Sequence, residues 1–333
     1  MSSRSYQTNW QAPRYAKSSK PKMGARSSSI DRSKKRKYRT ASSKSKVSAG
    51  YAKRELLEQV IAHDSYLAVP GIYSCFPYWA SQPMNEMAQI RLAEHGYIAP
   101  RHCGNAHACP VCTSSKMAED RERFKALMDK HVTDGGGLVL QTLTLSHKAE
   151  DDTSQKYRQL FTVWSKMRNG SAYKAAVKNA GEPLFLRILE ENLTAEAWHP
   201  HFHVVWFFEP SKQESAQRQF ARTINSLWVN TAKKWSVHGA YESSQTFDII
   251  DPNSSKQLSQ YLFKHGFFDL SLDLTAKSQN PFGLNPFGVF RLFLKTGETL
   301  YGYLWRDFQI ATYGRNRVQL SKSLKSKALE MES

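Results

Sequence analysis

The segment His199-Pro200-His201-Phe202-His203 heads the apolar run Val204-Val205-Trp206-Phe207-Phe208, and it restricts the fold more than any other part of the chain. A run so rich in β-branched and aromatic side chains predicts a buried strand. Successive side chains of a strand turn to opposite faces, so His201 and His203 emerge together while Phe202 points away. Two imidazoles on one face can share a metal ion, or they can hydrogen-bond as ordinary strand histidines. Three neighbouring features favour the ion. The acidic pair Glu190-Glu191 closes a strand-like segment, Leu184 to Leu189, which a turn-prone link from Asn192 to Trp198 folds back beside the histidines. Tyr261 and Lys264 sit one helical turn apart downstream, and a cysteine cluster lies upstream.

The chain has 333 residues and a formal charge of +18, very unevenly placed. Residues 1–54 carry 16 Lys or Arg against the single acid Asp31, so +15 of that charge belongs to this arm. The arm is Ser-rich, contains the run Lys34-Lys35-Arg36-Lys37, and lacks the apolar residues needed to offset chain entropy, which predicts disorder. A flexible polycation either keeps a protein in solution or binds a polyanion by counterion release, and nucleic acid is the expected partner. No stretch approaches the length of apolar sequence that a membrane span requires, and no signal peptide opens the chain. A soluble, cytoplasmic protein without a membrane partner is expected.

All four cysteines fall between positions 75 and 112, three of them in Cys103-Gly104-Asn105-Ala106-His107-Ala108-Cys109-Pro110-Val111-Cys112. In a reducing compartment this clustering predicts a structural Zn²⁺ rather than disulfides. Cys103, Cys109 and Cys112 supply three ligands, and Cys75, His107 or His102 the fourth. The other reading is a set of ordinary buried or redox thiols.

Further along, Phe124, Leu127 and Met128 mark a helix that ends at Gly135-Gly136-Gly137, and Leu138 to Ser146 reads as a buried strand. Tyr157, Leu160, Phe161, Trp164 and Met167 form a helical stripe stopped at Asn169-Gly170. After the hairpin, Phe220, Ile224, Leu227, Trp228 and Trp235 form the apolar face of a helix expected to start near Ser211, with Glu214 as its capping partner. A short strand carries Phe247 and Ile249. Ser254 or Ser255 can cap a helix bearing Tyr261. This order predicts an α+β fold, an antiparallel sheet covered by helices on one face with the other free for chemistry. The expected organisation is a disordered basic arm (1–54), a zinc-binding helical region (55–130), a catalytic core (131–270) and a C-terminal extension packed on the core (271–333). Asn280-Pro281-Phe282-Gly283 and Asn285-Pro286-Phe287-Gly288 look like paired tight turns.

The strand Leu143-Thr144-Leu145, then His-Pro-His-Phe-His-Val on a hairpin, then Tyr261 with Lys264, resembles the HUH endonucleases, and more closely the plasmid rolling-circle replication initiators. The Cys-x-x-Cys cluster and Gly314-Arg315-Asn316-Arg317 followed by Ser321 to Lys325 resemble segments of those initiators too. The likeness covers roughly residues 95 to 325. It implies a ferredoxin-like core and a metal-dependent enzyme that nicks and rejoins one DNA strand at a plasmid or phage-like origin through a 5′-phosphotyrosine. Tyr261 would be the nucleophile, and Lys264 would hold the phosphate or favour the phenolate. His201 and His203 would bind catalytic Mg²⁺ or Mn²⁺ together with Glu190, preferred over Glu191 because Arg187-Ile188-Leu189-Glu190 resembles the corresponding strand of the family. His199 would support these ligands.

Implied partners are single- and double-stranded origin DNA, a host helicase and polymerase, and a second copy of the chain. The second copy matters because Gln257 stands where related initiators often carry a Glu, and an amide cannot serve as that base. Either Asp269 substitutes, or a second protomer supplies another tyrosine. Two other readings are a single-strand transposase of the same chemistry and a non-enzymatic zinc-containing nucleic-acid-binding regulator.

Overall fold

A computed structural model describes residues 104–148, 151–194, 197–251, 258, 262 and 284–331, all within the unit Lys46–Ser333. Helix α1 (Pro110–Thr133) begins at the Cys-Pro-Val-Cys motif, where Cys109 Sγ accepts the backbone N–H of Cys112 at 3.5 Å and Pro110 supplies a preset φ. It ends at Asp134, and the following Gly135 has φ 86°, the left-handed conformation that glycine enters without a Cβ penalty. Strand β1 (Gly137–Thr144) follows, then α2 (Thr153–Asn169), α3 (Ser171–Asn179), the hairpin β2 (Leu184–Leu193) and β3 (Trp198–Phe208), and α4 (Glu214–Lys234). Next come β4 (Thr246–Ile250), α5 (Pro286–Thr296), α6 (Thr299–Thr312), β5 (Val318–Leu320) and α7 (Lys322–Glu330). No described helix is long and apolar enough to cross a membrane.

The five strands form one antiparallel sheet in the order β4-β1-β3-β2-β5, an α+β architecture with β3 at its centre. Both faces of β3 are buried, which explains why its apolar run continues rather than alternating with polar residues. One face presents Val139, Leu143, Phe185, Leu189, Phe202, Val204 and Trp206 to α2, α4, α5 and α6. Burying a side chain such as Phe202 there contributes about 2–3 kcal/mol. Gln141, fully buried on this face, accepts from Trp206 Nε1 at 2.7 Å and donates to Ala221 O at 2.9 Å and Asn225 Oδ1 at 2.6 Å. Its amide thereby satisfies the polar groups that sheet and α4 bring into the core.

The opposite face was expected to be bare and is not. Leu138, Leu140, Leu186, Ile188, Val205 and Phe207 are buried there against Phe124, Leu127 and Met128 of α1, Leu324 and Ala328 of α7, and Leu258 and Leu262. So many apolar groups at one end of a sheet require cover. Among the described residues, the polar end of that face, with His201, His203 and Glu190, is the part left to chemistry.

Several other expectations need correction. Helix α4 starts at Glu214 with Gln213 as its N-cap, not near Ser211, because Lys212 N–H is already turned back to Glu209 O at 3.0 Å. Trp235 lies past the end of α4 and is 46% exposed, with Lys166 Nζ 3.9 Å from its ring centre. The 190–191 pair does not close its strand; β2 runs on to Leu193. Asn285-Pro286-Phe287-Gly288 is a helix start rather than a tight turn, since Asn285 Oδ1 accepts Gly288 N–H at 2.9 Å. The C-terminal extension does more than pack on the core: β5 pairs with β2 and completes the sheet.

Candidate metal centre

The hairpin register builds the site. Glu190 stands opposite His201 and Ile188 opposite His203 across β2 and β3, while β1 places Thr142 opposite His203 and Thr144 opposite His201. All of these except Ile188 are polar and share one face. The Glu190 carboxylate leans diagonally across the ladder, so its Oε2 lies 2.7 Å from His203 Nε2 and 3.6 Å from His201 Nε2. The two imidazole Nε2 atoms are 3.3 Å apart. Among the described residues these three form the one group of three donors close enough to hold a metal ion. An octahedral divalent ion keeps neighbouring donors about 3 Å apart, so the triangle fits.

The surroundings fix which nitrogen faces inward. His203 Nδ1 is 3.1 Å from Thr142 Oγ1 and His201 Nδ1 is 3.4 Å from His199 O, leaving both Nε2 atoms directed at the carboxylate. With Nδ1–H donating outward, an ion that displaces the Nε2 protons would find both Nε2 lone pairs directed at it. Asn192 Nδ2 donates to Glu190 Oε1 at 3.3 Å and steadies the carboxylate. Burial alone would raise the Glu190 carboxyl, but hydrogen bonds from His201 and His203 outweigh it and hold the group far below the usual carboxylate range. Two imidazoles and one carboxylate suit Mn²⁺ and Fe²⁺ better than Mg²⁺, which prefers oxygen. A divalent ion bound by one carboxylate retains net positive charge and open positions, which favour a phosphate oxygen.

A row of rings continues from the triad. His199 Nε2 is 2.9 Å from Thr144 Oγ1, its Nδ1 is 3.0 Å from His147 Nδ1, and His147 Nε2 is 2.8 Å from Thr194 Oγ1. His199 lies on the His201 face because β3 runs through Pro200 from Trp198. Burial, and after it the neighbouring His201, His147 and Lys156, push its imidazole down to about 4. The end of β1 is held from outside the sheet: Gln245 Oε1 accepts Thr144 N–H at 2.8 Å, and Trp228 Nε1 donates to Thr144 O at 3.0 Å.

Glu191 faces away from the triad. Its side chain is fully buried on the other face, 3.5 Å from Arg317 Nη2 and 3.6 Å from His107 Nδ1. His107 Nε2 is in turn 3.0 Å from Arg315 O, so both ring nitrogens of this candidate zinc ligand already face other groups. Cys109 and Cys112 are buried at the start of α1. Cys75, His102 and Cys103 lie outside the described residues, as do Lys34, Lys35, Arg36, Lys37, Gln257, Tyr261, Lys264 and Asp269. Sequence reasoning missed Thr142, Asn192 and His147 as parts of the site. The alternation of Thr142 and Thr144 with Leu143 was the available signal for the first; nothing local marks His147.

No protein-family model, curated protein or solved structure matches the chain.

Proposed function

We propose that this chain is a metal-dependent endonuclease that nicks and rejoins one DNA strand, starting rolling-circle replication of a plasmid or phage-like replicon. The observation that carries the reading is the convergence of Glu190 Oε2 with the Nε2 atoms of His201 and His203, at 2.7 and 3.6 Å, on the polar end of the sheet. Leu258 and Leu262, three residues before and one after Tyr261 in the chain, are helical and buried on that same face. The positive charge concentrated in residues 1–54 supports a nucleic-acid substrate.

In this reading His201, His203 and Glu190 hold Mn²⁺ or Mg²⁺, which when bound polarises the scissile phosphate as a Lewis acid. The Tyr261 phenolate attacks phosphorus in line, the P–O3′ bond breaks, and the departing 3′ oxygen takes up a proton. The phosphotyrosine conserves the bond energy, so a 3′-hydroxyl can reverse the step and rejoin the strand. Lys264 neutralises phosphate charge. The arm and the cysteine region, with a structural Zn²⁺, grip duplex DNA at the origin.

The test is incubation of the full chain with an origin-bearing single strand and Mn²⁺, followed by a search for a 5′-linked protein adduct. The adduct is expected with the wild type and absent from Tyr261→Phe and His203→Ala. Binding without any adduct would identify a nucleic-acid-binding regulator instead.

A further inference from the structure

Three arginines of the larger face are not matched by acids. Arg187 of β2 is 2% exposed; its Nη2 donates to Asn316 O at 2.7 Å, but its buried Nε makes no hydrogen bond. Its guanidinium carbon lies 4.4 Å from the Phe202 ring centre and 4.9 Å from that of Phe161. Arg315 approaches the same Phe161 ring at 5.0 Å. Arg168 of α2 lies 4.4 Å from Phe185 and 5.4 Å from Trp164, and its buried Nε also makes no hydrogen bond. Among the described residues no carboxylate pairs with any of the three.

These guanidinium groups line one open pocket of about 320 Å³, together with Phe161, Trp164 and Gln319. Stacking on aromatic rings satisfies the faces of a guanidinium but leaves its N–H edges to find acceptors. Burial, and the like charge of Arg168, push Arg187 down to about 9, so it is still a cation at neutral pH. A buried charge without a counter-ion is costly, and an anion entering the pocket offsets that cost. Forked N–H edges match phosphate oxygens, and the half-buried ring of Phe161 offers an apolar contact beside them. The volume suits a single nucleotide unit rather than a long ligand.

The geometry points to a second binding site, between α2 and the 314–316 loop, that takes one phosphate of a nucleotide chain with its base beside Phe161. It lies on the face of the sheet opposite the triad, because Arg187 precedes Glu190 by three residues on β2. The site would hold a strand away from the metal centre whether or not that centre cuts it.

The test uses the full chain in EDTA and a 5′-phosphorylated dinucleotide of 5-iododeoxyuridine, with affinity read by calorimetry and position by photocrosslinking and peptide mapping. Inorganic phosphate is titrated separately. The expected result is an adduct on the peptide holding Phe161 and Trp164, and a loss of affinity of about tenfold or more in Arg168→Gln and in Arg315→Gln. Both residues are only half-buried, and unchanged melting temperatures would show that the variants fold. Glu190→Gln should bind the dinucleotide as the wild type does, which separates this site from the metal centre. Adducts only elsewhere, affinity unchanged in both arginine variants, or inorganic phosphate binding as tightly as the dinucleotide would each overturn the assignment.

Discussion

Glu190 and Glu191, adjacent on β2, serve opposite faces of the sheet: Oε2 of the first lies 2.7 Å from His203 Nε2, and Oε2 of the second lies 3.5 Å from Arg317 Nη2. The period-2 geometry of the strand thus divides one acidic pair into a carboxylate that could hold a metal ion and a core ion pair.

Metal binding should be visible as stability. At an Mn²⁺ concentration one hundred times its Kd, the wild type should gain about 2.7 kcal/mol, and EDTA should remove the gain. His201→Ala, His203→Ala and Glu190→Gln should show no ion-dependent rise in melting temperature. Thr142→Val, which removes the hydroxyl beside His203 Nδ1, should weaken Mn²⁺ about 10–100-fold while leaving the fold intact. Scanning calorimetry and Mn²⁺ electron paramagnetic resonance would check both.

Acid should act through Glu190. Its carboxyl is held below its unfolded value, near 4.3, by the two imidazoles. A carboxylate lowered on folding contributes stability that is present above the unfolded value and is lost as pH falls below it. In EDTA, the urea midpoint of the wild type should therefore fall toward that of Glu190→Gln between about pH 5 and pH 3. A gap between the two proteins that stays constant across this range would contradict the pairing.

Glu191 should matter for folding and not for the ion. Replacing it with Gln leaves the guanidinium of Arg317 buried beside a neutral amide, which should cost about 3–5 kcal/mol in urea unfolding. Mn²⁺ affinity should match the wild type. A loss of Mn²⁺ binding in this variant, with the fold retained, would place the metal carboxylate at the wrong residue.

Much of this arrangement was legible in the chain. The apolar run 204–208, the stripe from Tyr157 to Met167 and the glycines after α1 carry their own periodicity and punctuation, so β3, α2 and the approach to β1 could be read locally. His201 and His203 followed from strand alternation. The choice between Glu190 and Glu191 did not, because it depends on how far β2 continues past the pair, and Asn192 looked like turn sequence although it is still in the strand. Helix α3 is short and follows α2 after a single glycine, so it carried no separate start signal. Strand β5 has three residues and is held by pairing with β2, more than a hundred residues away in the chain. His147 and Arg317 likewise acquire their roles only when distant segments meet.

Having acids at consecutive positions has an implication for how the hairpin finds its alignment. Sliding β2 by one residue would present Glu191 to the imidazoles and Glu190 to Arg317, so the charged end of the ribbon barely distinguishes the right pairing from a neighbouring wrong one. Discrimination therefore falls to the other end. There the same slide would drive the guanidinium of Arg187 into the Phe124, Leu127 and Met128 layer, and would pull Phe185 away from Trp164 and Trp206. The buried cation of Arg187 thus also proofreads the strand on which the candidate metal ligand Glu190 is carried.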